Sequence, residues 1–229
     1  YWREQVTYHR PVTIGEELTT SGSVETTYLH DGRLYAVMSS RTSGTDGRPV
    51  ATSRSTGLQQ YRRSEEAVNP SGLTAPPPGA PAPDEGAARS NPALEDLRRV
   101  TAGDRFQAGP VTVTLEMMRA QAGGDQSNPI HTDEEVARKA GLRAPIAGGP
   151  HVLAFAELAL TDALGAEVLS HGSHVDVRWI SPLYAGGTVS AIAAVTDVQS
   201  GGLTFELSAE ADGVPAMIGT AFIPLGEHA

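Results

Sequence analysis

Three kinds of hydrophobic pattern follow one another along the chain, and each predicts a different element. Residues 4–62 carry the period-two alternation of strands. VTYHRPVTIGEEL (6–18) runs as a strand into a Pro/Gly corner, and GRLYAVMSSRT (32–42) alternates apolar and polar positions. DGRPVATSRSTGLQQY (46–61) opens on an Asp-Gly turn and continues as a strand. From 63 to 93 the large apolar residues almost vanish into Pro, Ala, Gly and charge. Such a segment cannot bury enough surface to offset its ordering entropy, so a flexible linker is predicted there.

A helical region follows. EMMRAQAG (116–123) is a short helix candidate. TDEEVARKAG (132–141) offers Thr132 as N-cap, Glu135 as the reciprocal capping-box partner and Gly141 as the stop. GPHVLAFAELALTDALG (149–165) places Pro150 at the first helical position and ends on Gly165. Val152, Leu153, Phe155, Ala156, Leu158, Ala159 and Leu160 make it apolar nearly all round, which predicts a buried central helix.

Residues 174–225 return to the strand pattern and repeat the start of the chain. VRWISPLYAGGTV (177–189) aligns with VTYHRPVTIGEEL without a gap, pairing Val177 with Val6, Trp179 with Tyr8, Pro182 with Pro11 and Gly186 with Gly15. GGLTFELSAEA (201–211) then follows GRLYAVMSSRT, and DGVPAMIGTA (212–221) follows DGRPVATSRS. Three matches in one order point to an internal duplication of a long antiparallel meander. A sheet wrapped round the apolar helix would bury both, and two such sheets joined side by side would each lose an exposed edge. The expected domains are a partial first unit of strands only (1–62), the linker (63–93) and a complete second unit (94–229).

Composition narrows the function classes. The chain has 229 residues, is 39% hydrophobic and carries a formal charge of −10. That balance argues against binding nucleic acid or an anionic membrane. It contains no cysteine, which excludes disulfides, thiolate metal sites and cysteine nucleophiles. The histidines lack ligand spacing, so no metal is expected. No apolar run is long enough to cross a membrane, and a cytoplasmic location is expected.

Candidate chemistry concentrates in GGDQSNPIHTDEEVARKAGLRAPIAGGP (123–150). His131 follows Asn-Pro-Ile and precedes a helix start, where the positive helix end favours a neutral imidazole able to accept a proton. Asp125 lies in the same loop, and a carboxylate and an imidazole facing one water can divide acid and base work. Asn128 is expected to staple the loop through hydrogen bonds to its backbone. Asp133, Glu134 and Glu135 read as ordinary dipole partners of a first helical turn. At the second Gly-rich turn Pro150 has no N–H, leaving Gly149 and His151 as the nearest amide donors for a developing oxyanion.

At these residues the sequence resembles the MaoC-like dehydratases, also called (R)-specific enoyl-CoA hydratases or the hydratase 2 family. Gly124-Asp125-Gln126-Ser127-Asn128-Pro129-Ile130-His131 matches their Gly-Asp-x-Asn-Pro-aliphatic-His motif with one residue more between Asp and His. Pro145-Ile146-Ala147-Gly148-Gly149 matches their Pro-Ile-Ala-His-Gly turn, with Gly148 where members have His. The resemblance implies an α+β double hot-dog, with antiparallel sheets wrapping a long central helix and the first hot-dog lacking its helix in this chain. It implies reversible hydration of trans-2-enoyl thioesters of CoA or acyl-carrier protein to (3R)-3-hydroxyacyl thioesters, without a further cofactor. Asp125 and His131 would be the catalytic pair, Asn128 would orient the loop, and the Gly149 N–H would form the oxyanion hole. Ile146 and His151 are pocket candidates, and Arg119, Lys139, Arg143 and Arg178 are candidate contacts for the CoA phosphates. A homodimer is compatible with the fold. A non-catalytic acyl-thioester-binding scaffold and a hot-dog thioesterase are the alternatives, since one fold hosts several chemistries.

Overall fold

The computed structural model describes residues 3–59, 97, 99–122 and 128–225. The segment read as a linker and residues Asp125, Gln126 and Ser127 lie outside the described residues. The first meander folds as β1 (Arg3–Tyr8), β2 (Leu18–His30), β3 (Arg33–Gly44) and β4 (Pro49–Leu58). The stretch 6–18 is thus the end of one strand, a corner, and the start of the next. Asp31 and Gly32 form the two-residue link between β2 and β3, both with left-handed backbone (φ 50° and 68°). Asp-Gly suits such a turn, because Gly has no Cβ to clash and Asp tolerates positive φ.

The second half adds β5 (Arg105–Thr112), α1 (Leu115–Gln121), a 3-10 turn (Pro129–His131), α2 (Glu134–Lys139) and α3 (Gly149–Leu164). The second meander follows as β6 (Ser173–Trp179), β7 (Thr188–Gln199), β8 (Gly202–Ala211) and β9 (Val214–Pro224). The nine strands of the described residues form one sheet in the order β2-β3-β4-β1-β6-β9-β8-β7-β5. Read outward from the β1–β6 seam, the two halves have the same strand sequence, and β5 extends the second. The duplication is therefore visible in the topology as well as in the residues.

The seam is self-complementary. Val6 aligns with Val177, and Glu4 with Val175; the antiparallel register pairs Val6 with Val175 and Glu4 with Val177. Each copy presents the same edge to the other, and neither leaves it unpaired. On one face Arg3 grips Asp176 with two charge-assisted hydrogen bonds, Nε to Oδ1 at 2.8 Å and a terminal nitrogen to Oδ2 at 2.5 Å. On the other face the Tyr8 hydroxyl donates to the Glu157 carboxylate of α3. Glu4 stands beside this pair, facing a cavity of about 240 Å³ that Tyr8, Glu157, Ser40, Thr42 and Leu153 help to line.

α3 is the centre of the core, as its pattern required. Val152, Leu153, Phe155, Ala156, Ala159, Leu160 and Leu164 are buried against strands of the second half, including Val175, Val177, Leu203, Phe205 and Leu207. Leu158 is the exception at 41% exposed. Two helix starts differ from the sequence reading by one residue. Gly148 is the N-cap of α3, so Pro150 is its second residue rather than its first. Asp133, not Thr132, caps α2: its Oδ1 accepts from the N–H groups of Glu135 and Val136 at 2.8 and 2.9 Å. Thr132 instead closes the preceding 3-10 turn, donating its N–H to Pro129 O at 3.0 Å. A carboxylate is the stronger partner for the positive helix end, so Asp133 takes the cap.

Candidate active site

His131 ends the turn that Asn128-Pro129 initiates, and its side chain is partly buried. Its Nδ1 lies 2.7 Å from the carbonyl oxygen of Ile146. A carbonyl can only accept, so Nδ1 carries the proton and donates it. In the neutral ring the lone pair is then on Nε2, the nitrogen left to take up a proton. Burial holds the His131 pKa below the ordinary imidazole value, and the bond to Ile146 O opposes that shift only in part. The neutral state thus arises mainly from burial, not from the helix end to which the sequence pointed.

The acceptor is itself fixed. Ile146 N–H donates to Ile130 O at 3.3 Å, Ala147 N–H to Leu183 O at 2.8 Å, and Ala185 N–H to Pro145 O at 2.9 Å. The Gly-rich turn is therefore tied to the His131 loop on one side and to the 182–185 loop on the other. Asn128 places its side-chain nitrogen 3.3 Å from His131 Nε2. Its contact is with the imidazole itself, whereas the sequence suggested bonds to the loop backbone.

At the start of α3 the His151 N–H donates back to Gly148 O at 3.0 Å. Pro150 has no N–H, so the first-turn amide that remains available is that of Gly149, with no acceptor among the described residues. Gly149 sits directly under the Trp179 indole: a Cβ built there would stand 2.8 Å from two ring carbons. Only glycine allows the helix start and the ring to approach so closely.

His131, Ile146 and Gly149 line one cavity of about 630 Å³, a size ordinary for small-molecule sites. Arg178 lines it as well. The wall also includes Trp179 and, across the seam, Arg33, Tyr35 and Leu58 of the first half. Those first-half residues gave no local signal in the sequence. Trp179 could have been noticed as the aromatic that aligns with Tyr8 at the end of the equivalent strand.

Other candidates lie elsewhere. His151, expected in the pocket wall, is 9% exposed, stacks on Phe155 at 6.0 Å and does not line the cavity. It faces the core because the first turn of α3 is apolar all round. Arg119 donates to Thr132 O at 3.2 Å, and Lys139 pairs with Glu135 at 2.7 Å on exposed α2. Arg143 lies over the Tyr184 ring at 4.1 Å. None of these three lines the cavity. No cluster of metal-ligating side chains occurs among the described residues, and none of the described helices is long and apolar enough to cross a membrane.

The MaoC like domain family matches residues 99–211, which contain the loop, the Gly-rich turn and α3. A solved structure described as a MaoC-like dehydratase superposes on 97% of this chain and 74% of its own, with a TM-score of 0.70 at 20% identity. A double hot-dog protein of Mycobacterium tuberculosis covers 99% of this chain and 74% of its own, with a TM-score of 0.70 at 17% identity. A MaoC-like dehydratase of Phytophthora capsici covers 99% and 68%, with a TM-score of 0.63 at 17% identity. Likeness at these identities speaks for the fold. No curated protein sequence matches the chain. Residues 99–211 carry a MaoC like domain, and the strands of the chain form a double hot-dog.

Proposed function

We propose that the protein hydrates trans-2-enoyl thioesters, or dehydrates the corresponding 3-hydroxyacyl thioesters, at the cavity beside His131. The observation that carries this reading is the protonation geometry of His131. Nδ1–H is committed to Ile146 O at 2.7 Å, so the lone pair lies on Nε2, where burial holds the ring neutral and water takes the place of the long contact from the Asn128 N–H. In the hydration direction Nε2 takes a proton from water as its oxygen bonds to C3 of the enoyl group. The π electrons move towards the thioester oxygen, giving an enolate that the Gly149 N–H can stabilise. The proton held on Nε2 is then returned to C2, so that water has been added across the double bond and the imidazole is neutral again. Asp125 is the second member of the pair by resemblance to the family, and we assign it the handling of the water.

The MaoC like domain of residues 99–211 supports the reaction class. The test is the loss of enoyl-thioester ultraviolet absorbance on adding the protein to a short-chain trans-2-enoyl-CoA. His131→Asn should lower kcat by about 10²–10⁴-fold, the usual contribution of a general base. An unchanged kcat would remove His131 from the chemistry. Release of free CoA thiol in place of a hydroxyacyl product would make the protein a thioesterase.

A further inference from the structure

The charged side chains among the described residues of the cavity wall are opposite in sign to the molecule as a whole. The chain carries −10 overall. Yet the basic residues among those that line the cavity are Arg33, Arg178 and His131, with no Asp or Glu among the described lining residues. Arg33 is the unusual one. It opens β3 immediately after the Asp31-Gly32 turn, so a hairpin of the first half carries it to the cavity of the second. Its Nε is buried and has no hydrogen-bond partner among the described residues.

Other arginines of the first half are engaged. Arg3 holds Asp176, Arg10 holds Glu16 through its terminal nitrogens although its Nε is likewise buried without a partner, Arg48 lies 3.6 Å from Asp46, and Arg54 donates to Glu25 at 2.9 Å. Asp31, the acid nearest Arg33 in sequence, is exposed and lies 4.0 Å from His30. A buried N–H of a charged guanidinium without an acceptor is costly, and an incoming oxyanion removes that cost. The planar fork of Arg suits carboxylate and phosphate oxygens, and apolar walls such as Leu58, Tyr35 and Trp179 strengthen the attraction by excluding water.

We propose that Arg33 is a substrate-recognition residue, and that the thioester bound beside His131 presents a negatively charged oxygen group to it. That group is either a carboxylate on the acyl chain or a phosphate of the carrier. The proposal rests on the thioester reading of this cavity and adds to it a charge requirement supplied by the non-catalytic half. Specificity would then come from the first half of the chain and the base from the second.

The experiment compares wild type and Arg33→Gln on three trans-2-enoyl thioesters: butenoyl-CoA, an enoyl-CoA one carbon longer that ends in a carboxylate, and butenoyl-N-acetylcysteamine, which lacks every phosphate. The fall in kcat/KM should be at least tenfold greater for one or both CoA thioesters than for the N-acetylcysteamine thioester. A fall confined to the carboxylated substrate identifies the acyl carboxylate as the partner; equal falls for both CoA thioesters identify the phosphate. Arg33→Lys should recover part of the loss, because it restores the charge without the fork, and it carries the same comparison if the glutamine variant does not fold. Equal falls on all three substrates, or no fall on any, overturn the proposal. If the wild type turns over none of them, hydration is the reading that fails. Calorimetric titration with free CoA and with a short dicarboxylate then tests Arg33 separately: binding by wild type that Arg33→Gln loses upholds it, and equal binding by both, or by neither, overturns it.

Discussion

Replacing Glu4 by glutamine should stabilise the protein, and only at neutral to alkaline pH. Glu4 lies on β1 at the seam, beside Glu157 and Tyr8, and its Oε2 is buried without a hydrogen-bond partner among the described residues. Burial, and next the charge of Glu157, push its carboxyl from an ordinary 4.5 up to about 7. The folded state therefore binds this proton more tightly than the unfolded chain. Stability is fully present below the ordinary carboxylate value and is lost as pH rises from there through about 7. At 1.36 kcal/mol per pH unit, the full cost of the charged group at pH 8 is about 3 kcal/mol. Residual solvent contact and relaxation reduce this, so a gain of about 1–3 kcal/mol is expected for Glu4→Gln at pH 8. At pH 5 the same cycle gives less than about 1 kcal/mol, because the folded-state carboxyl is already protonated. For a chain of this size that is a rise in Tm of roughly 2–10 °C at pH 8 and little at pH 5. Thermal unfolding of both proteins at the two pH values measures it. An equal shift at both would show that glutamine acts by packing rather than by removing a charge. No shift at pH 8 would show that the carboxylate is adequately solvated at the seam, and the electrostatic argument would fall.

Three further outcomes follow from the site. The acid limb of kcat/KM for hydration should fall below the ordinary histidine value of about 6.5, because burial keeps His131 neutral to lower pH, and activity should be lost as the ring protonates; a limb above that value contradicts the assignment. Gly149→Ala should cost about 1–3 kcal/mol in urea unfolding, since its Cβ meets Trp179 at 2.8 Å, and Trp179→Leu in the same chain should recover part of the loss. Asp133→Ala should cost about 1 kcal/mol and Thr132→Ala markedly less, as thermal unfolding of the two variants would report.

The fold was legible because its signals are local or repeated. Corner residues at Pro11 and Gly15 recur at Pro182 and Gly186, and the alternation between them fixes strand after strand. The joining of the two sheets followed from the need of each repeat to lose an edge. Capping was less legible: Thr132 and Asp133 are adjacent cap formers, and the 3-10 turn that ends at Thr132 leaves the helix to start one residue later, on the stronger carboxylate cap. The Ile146 carbonyl that sets the His131 tautomer is a backbone group fifteen positions away in sequence, and no side-chain motif encodes it. Arg33, Tyr35 and Leu58 reach the cavity only because β1 pairs with β6, a contact between residues far apart in the chain. Asp125 is assigned by resemblance, as it lies outside the described residues.

The self-complementary seam between β1 and β6 has a consequence for how the molecule can vary. Two identical chains joined through this edge would be related by a dyad, and any residue changed on one side would change on the other. Here the two sides are encoded separately, so mutation can act on either alone. His131 and Arg33 stand on opposite sides of the former symmetry axis and face one chamber. A symmetric assembly would have to carry both in duplicate. Covalent linkage of the copies thus lets each half keep or lose a residue independently of the other.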